Sequence, residues 1–289
     1  MSKTLYISDL DGTLLSPEGV LSQSTVTLLN HAIARGARVS IATARTPATV
    51  SRLMRDVNFR LPLLVMTGAA LWDKNTGEYS DVQFFETEQV GEIISAYTAP
   101  EGGGAFLYTL TGKEEESIHR ELMKIYHVGP LNELERGFMM ERIASPFKRF
   151  IVPESGLSDL PEKIENAVLF FGMRPNAVAE EIRYGLNRIE GINPMSYHDW
   201  YGDEITEIEA FPRGATKAKA IHRLKRRIGA NRVVVFGDNL NDLSMMSIAD
   251  WSVAVSNAVP QVKDAADEVI GSNSADAVAR YILSDLTES

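Results

Sequence analysis

The chain has 289 residues, enough for two domains, and its 44% hydrophobic and 24% charged content supports a full core. A formal charge of −10 without a basic stripe argues against a nucleic-acid surface, and the lack of cysteine excludes disulfides, thiolate metal sites and cysteine nucleophiles. No run approaches the ~20 apolar residues of a membrane span, and MSKTLYISDLDG lacks a signal peptide's apolar stretch, so a cytoplasmic protein without membrane contact is expected.

In chain order, TLYIS (4–8) suits a buried parallel strand. Ser22 is placed to cap a helix carrying Val26, Leu29 and Ile33 at helical spacing, with Gly36 as terminator. ARVSIAT (37–43) reads as a second strand. Thr46-Pro47 opens a helix with Val50, Leu53, Met54 and Val57 on one side, and LPLLVMTG (61–68) reads as a third strand. Single helices between strands imply a parallel sheet with right-handed crossovers.

From about 84 to 206 the pattern changes. Helices (EQVGEIISAY, AVAEEIRYGLNRI) and strands (AFLYTL, FKRFIVP, AVLFFGM) alternate with stretches read as irregular, PEGGGA and GPLNELERG. An α/β domain inserted into a parent α/β domain is expected, with boundaries 1–83 and 207–289 for the parent. Helix 215–228, RVVVFGD (232–238), a short helix, WSVAV (251–255), another helix, DEVIG (267–271) and a helix near 274–286 then complete the parent. The basic run HRLKRRIGANR (222–232) reads as the exposed face and last turn of a helix.

Ligand sites of open parallel sheets lie beyond the C-terminal strand ends. Those ends carry Asp9, Asp11, Gly12 and Thr13; Thr43 and Arg45; and Asp238, Asn241 and Asp242, while Lys217 starts a helix. Residues i and i+2 of a strand share a face, so Asp9 and Asp11 are expected together with Leu10 turned inward. Two such charges repel by roughly 4 kcal/mol at a protein-like dielectric, and something must offset that. Several carboxylates in one crevice call for a cation, and hard oxygen ligands suit Mg²⁺. Lys217 and Thr43 add a positive charge and a hydroxyl for a phosphate. A metal, anion ligands and a carboxylate nucleophile together point to phosphoryl transfer.

DLDGT, a second-strand TAR, a lysine at a late helix and GDNLND stand in the order of the four motifs of the haloacid dehalogenase superfamily, which the chain resembles. The tail from GDNLND to ADAVA resembles its Cof-type phosphatase branch. The resemblance implies a Rossmann-like, doubly wound parallel sheet with a large inserted α/β cap. It also implies a Mg²⁺-dependent phosphatase of small phosphorylated metabolites, sugar phosphates foremost, working through an aspartyl-phosphate. Asp9 would be the nucleophile and Asp11 the acid/base. Asp9, the Asp11 carbonyl and Asp238 would hold the metal, supported by Asn241 and Asp242. Thr43 and Lys217 would bind the phosphoryl group, with Gly12, Arg45 and Asn241 on the substrate side. LLSPEGVLS (14–22) is placed like the family's flap hairpin. Departures are MTGAA, where Thr67 stands at a usual asparagine, TAR for TGR, and ATKAK without a following glycine.

Each residue alone has an ordinary structural reading: strand-end turn aspartates, a β-branched strand threonine, an exposed helix lysine, and Asn241 and Asp242 as helix caps. In the middle region Tyr197, His198 and Trp200 are candidates for lining a polar substrate or for packing. A phosphomutase of the same superfamily and a non-enzymatic phosphoacceptor are the competing readings. No obligate protein partner is evident.

Overall fold

The computed structural model describes residues 3–100, 102–111, 122–143, 151–152, 160, 164–198 and 204–288. The chain divides into two units, Met1–Asp81 with Thr216–Ser289, and Val82–Ala215.

In the first unit β1 (Thr4–Ser8) leads through α1 (Gln23–Ala34) to β2 (Arg38–Ile41), then through α2 (Pro47–Leu53) to β3 (Leu63–Val65), β4 (Ala70–Trp72) and β5 (Tyr79–Ser80). All five residues of β1 are buried, as a strand covered on both faces requires. The Ser22 hydroxyl accepts from Thr25 N as the cap of α1, and Thr46 stands at the cap position of α2 without a side-chain cap bond, followed by Pro47 at the first helical position. The third strand is shorter than its apolar run. It touches β2 through a parallel bridge between Ala42 and Leu64, and its main partner is β4, antiparallel in a three-stranded sheet β3-β4-β5.

The second unit contains α3 (Thr87–Thr98), β6 (Ala105–Thr111), β7 (Leu122–Val128), α4 (Glu133–Ile143), β8 (Ile151–Val152), β9 (Ala167–Pro175), α5 (Asn176–Leu186), β10 (Ile192–His198) and β11 (Ile205–Pro212). Its sheet runs β10-β11-β9-β6-β7-β8 and is antiparallel apart from β7 with β8. Ile93 and Tyr97 of α3 and Ile182 of α5 pack on Leu107, Phe170, Ile208 and Ala210 to form its core. Two differences from the sequence reading stand out. NELERG lies in helix α4, opened by Asn132, whose side-chain oxygen accepts from Glu135 N while Glu135 Oε2 accepts from Asn132 N. Residues 207–212 pair with β9 and β10, so the second unit runs on to Ala215 rather than ending at 206.

The chain returns to the first unit with α6 (Lys217–Ile228), β12 (Arg232–Gly237), α7 (Leu243–Met246), β13 (Trp251–Val255), α8 (Pro260–Ala265), β14 (Glu268–Ile270) and α9 (Ala277–Glu288). Helix α6 ends at Gly229 in the left-handed region (φ 60°), with Lys225, Arg226 and Arg227 in its last turn. The parallel sheet has the order β14-β13-β12-β1-β2. From β1 the chain goes to one side and later returns on the other, so β1 and β12 flank the switch point where such sheets place their ligands. Their register sets Ile7 against Val235 and Ser8 against Phe236, which brings the residues after both strands to one edge. Among the described residues no helix is long and apolar enough to cross a membrane.

Candidate active site

The acidic centre is built from two strand ends and one helix start. Asp9 follows β1, with its N–H donating to Phe236 O at 2.9 Å. Asp238 follows β12, and Asp242 closes the turn after it. One carboxylate oxygen from each of Asp9, Asp238 and Asp242 lies within 4.8 Å of the others. Lys217, the first residue of α6, is 2% exposed and donates to Asp9 Oδ1 at 2.6 Å and to Asp242 Oδ1 at 2.7 Å. Thr13 Oγ1 donates to Asp238 Oδ1 at 2.6 Å. The other oxygen of Asp242 accepts from Asp238 N and Asn239 N at 3.0 and 3.1 Å, which fixes the turn.

Close approach explains the glycines. A Cβ on Gly12 (φ 77°) would stand 2.2 Å from Asp238 Oδ2, and one on Gly237 would stand 2.6 Å from the Asp242 Cβ.

Asp11 has a partner that strand alternation does not name. The strand ends at Ser8, and the N–H groups of Thr13, Leu14 and Leu15 all donate to Leu10 O. The chain turns there, so strand alternation no longer applies. Leu10 is buried as expected, and Asp11 is held by Arg45, which grips it with two bonds of 2.8 and 2.7 Å. Both groups are about one-third exposed, at 33% and 28%. The charge of Asp11 is therefore answered by Arg45, and that of Asp9 by Lys217. The stretch 14–22 contains no strand pair; Ser16 N donates to Val20 O and closes a turn.

Thr43 is buried beyond β2, where its hydroxyl accepts from Arg45 N at 3.1 Å and its carbonyl accepts from Thr67 N at 2.9 Å. Thr67 has φ 54°, beside Met66 at φ 51°, and its hydroxyl is buried without a partner. Two adjacent non-glycine residues in the left-handed region store strain of the kind that gathers at functional sites. Asn241 Oδ1 is also buried and unpartnered. Tyr197 lies on β10 opposite Glu207, His198 ends that strand, and Trp200 is outside the described residues.

Sequence reasoning passed over three positions. Thr13 stands at a strand end in the sequence, but nothing there names Asp238 as the partner of its hydroxyl. Asn257 Nδ2 donates to Gly12 O at 2.7 Å and Asn257 Oδ1 accepts from Asn273 N, while Asn273 Nδ2 donates to Leu15 O. The two asparagines tie the turn after Asp9 to the segments following β13 and β14. Their place just beyond strand ends was the available signal.

Burial, with the neighbouring Asp242, pushes the Asp9 carboxyl up against the opposing pull of Lys217. Burial raises Asp238 to about 6, net of its hydrogen bond from Thr13 and with Asp242 adding to the rise. Burial pulls the Lys217 ammonium down, but Asp242 and Asp9 more than reverse this, so it stays charged. A carboxyl raised in the folded state binds its proton more tightly there than when unfolded. Its contribution is fully present below the unfolded pKa and is lost as pH rises through the folded one. Without divalent cations the protein is thus expected to lose thermal stability from about pH 5 to about pH 8. Thermal melts in EDTA test this, and a Tm that climbs across that window would contradict it.

A parallel α/β core, an inserted α/β unit and a buried carboxylate–lysine cluster beyond the strand ends define an open α/β protein with its ligand site at the switch point. The chain belongs to the haloacid dehalogenase-like hydrolase family, whose model matches residues 6–282. It is 23% identical to the pyridoxal phosphate phosphatase YbhA of Escherichia coli, over 99% of this chain and 100% of that protein. It is 26% identical to the 5-amino-6-(5-phospho-D-ribitylamino)uracil phosphatase YwtE of Bacillus subtilis, over 95% of each. A haloacid dehalogenase-like hydrolase structure from Bacteroides thetaiotaomicron shares the fold with a TM-score of 0.70 at 23% identity, covering 96% of this chain and 98% of that one. TM0651 from Thermotoga maritima gives 0.69 at 21% identity, covering 99% and 97%.

Proposed function

We propose that the chain is a Mg²⁺-dependent phosphatase of small phosphorylated metabolites that uses Asp9 as its nucleophile. The observation that carries this is the grip of Lys217 on Asp9 Oδ1, inside a cluster of three carboxylates. The hold on Oδ1 leaves Oδ2 as the attacking atom. Relatives named as phosphatases of pyridoxal phosphate and of a phosphoribityl-aminouracil support an organic phosphate monoester as substrate. Sugar phosphates are our narrower proposal, and it rests on the family resemblance.

The donor set fits a hard divalent cation: oxygens of Asp9, Asp238 and Asp242 converge, and the buried Asn241 Oδ1 has no partner. Asp9 and Asp238 would hold the ion together with the Asp11 carbonyl, with Asn241 and Asp242 beside them. When bound, Mg²⁺ supplies charge neutralisation for the carboxylates and the phosphate oxygens. The remaining chemistry belongs to the chain. As an Asp9 oxygen bonds to phosphorus, the ester P–O bond breaks and its electron pair leaves on the alcohol oxygen, which takes a proton from Asp11. Water then attacks phosphorus, gives a proton to Asp11 and releases Asp9 with inorganic phosphate. Asp11 must relinquish part of its two-point pairing with Arg45 to carry that proton. Lys217 and Thr43 hold the transferring group, and the unit Val82–Ala215 selects the leaving group.

The test is release of phosphate from p-nitrophenyl phosphate and a metabolite panel, with and without Mg²⁺. Turnover is expected to stop in EDTA and return with Mg²⁺, accompanied by a Tm increase on Mg²⁺ addition, because an ion that binds only the folded state stabilises it. Turnover unaffected by chelation would refute the metal assignment.

A further inference from the structure

The sheet of the second unit has two unlike faces. Ile208 and Ala210 of β11 pack with α3 and α5. Alternation along the strand turns Glu207 and Glu209 to the opposite face. There the register sets Glu209 between Met195 of β10 and Phe171 of β9. Phe171 belongs to an aromatic stack. Its ring centroid lies 4.8 Å from that of Phe138 on α4, nearly parallel at 15°, and Phe138 lies 5.9 Å from Phe106 of β6.

A carboxylate therefore stands beside an aromatic wall, and it is unanswered. Glu209 is 9% exposed, and its Oε2 is buried without a hydrogen-bond partner. Among the described residues the charge acting on it is another carboxylate, Glu207. Burial and that neighbour push Glu209 up to about 8. Buried acids are ordinarily paired or neutral, so an orphaned one flanked by a second acid is a place for an incoming donor. A protonated nitrogen answers both features, since it donates to the carboxylate and is attracted to an aromatic face.

We propose that Glu209, with Glu207 and the wall formed by Phe171 and Phe138, binds the cationic nitrogen of an amine-bearing small molecule. The occupant is a small phosphorylated metabolite carrying a protonated amine or ring nitrogen. Only that naming of the occupant rests on the phosphatase reading; the preference for a cation does not.

The test compares matched ligands that differ in one group, glucosamine 6-phosphate with glucose 6-phosphate and phosphoethanolamine with 2-hydroxyethyl phosphate. Calorimetric titration of the full chain without added metal reads binding alone, and kcat/KM with Mg²⁺ reads turnover. In at least one pair the amine is expected to be favoured by about tenfold or more, the worth of one charged hydrogen bond. In Glu209→Gln that ratio should fall to within about twofold of unity, while Glu207→Gln lowers it less. The ratio cancels any general loss of activity, and thermal melts establish that both variants fold. Equal binding of amine and hydroxyl ligands by the wild type in both pairs would overturn the proposal, as would a preference that survives Glu209→Gln. If amine selectivity appears in calorimetry but no phosphate is released from any ester, the phosphatase reading fails and the cation site stands.

Discussion

Asp9→Asn is expected to lower turnover of p-nitrophenyl phosphate by about 10³-fold or more while the protein stays folded. The amide cannot form the acyl-phosphate bond, yet it is nearly the same shape and keeps an oxygen to accept from Lys217 Nζ, 2.6 Å away in the native protein. It also removes the charge that burial and Asp242 disfavour. Stability in EDTA near neutral pH should therefore be equal to or above that of the wild type. Phosphate release together with denaturation melts checks both halves. Near-native turnover would refute the nucleophile assignment. Turnover lost together with the fold would show that Asp9 is chiefly structural.

Lys217→Met is expected to have the largest effect on stability. Its ammonium is the cation held between Asp9 and Asp242, at 2.6 and 2.7 Å, with all three groups buried. Methionine fills much of the same volume but leaves two buried carboxylates facing one another. Breaking a buried pair by removing one partner costs about 3–5 kcal/mol. One of the acids can take a proton instead, so the loss should shrink as pH falls. Urea unfolding in EDTA at neutral and at acidic pH measures this. A loss below about 1 kcal/mol at neutral pH would mean that the cluster is hydrated enough to dispense with the lysine. Turnover should fall as well, since the same ammonium restrains Asp9 and is placed to bind the transferring group.

Strands buried on both faces are easy to read, because TLYIS and WSVAV are short, mainly apolar runs bounded by polar residues, and β1 and β13 coincide with them. The chemistry-bearing residues were legible for a related reason. The acids follow such runs directly, and ligands gather at those strand ends. The middle region was harder. NELERG has no marked apolar periodicity and reads as loop, although Asn132 and Glu135 form a reciprocal cap that opens α4. LMKIYHV gives a weak strand signal because one face of β7 is only half-buried, which interrupts its apolar run. Residues 207–212 went to the wrong unit because a strand's sequence does not name its partner.

What the sequence determined by itself is the inventory: two α/β units, acids at strand ends, a lysine opening a late helix and a family signature that spans both ends of the chain. Local patterns settle these because burial period, capping and turn chemistry act over a few residues. What only the tertiary structure decided is which charge answers which. Strand alternation would set Asp11 beside Asp9, and only the structure shows that Arg45, 34 residues away in sequence, answers its charge. Lys217 reaches Asp9 across 208 residues. Glu209, an ordinary strand glutamate in the sequence, becomes a buried and unpartnered acid once β9 and β10 close on either side of it. Electrostatic partnership depends on distance and burial, and both are set by long-range strand pairing that no local window contains.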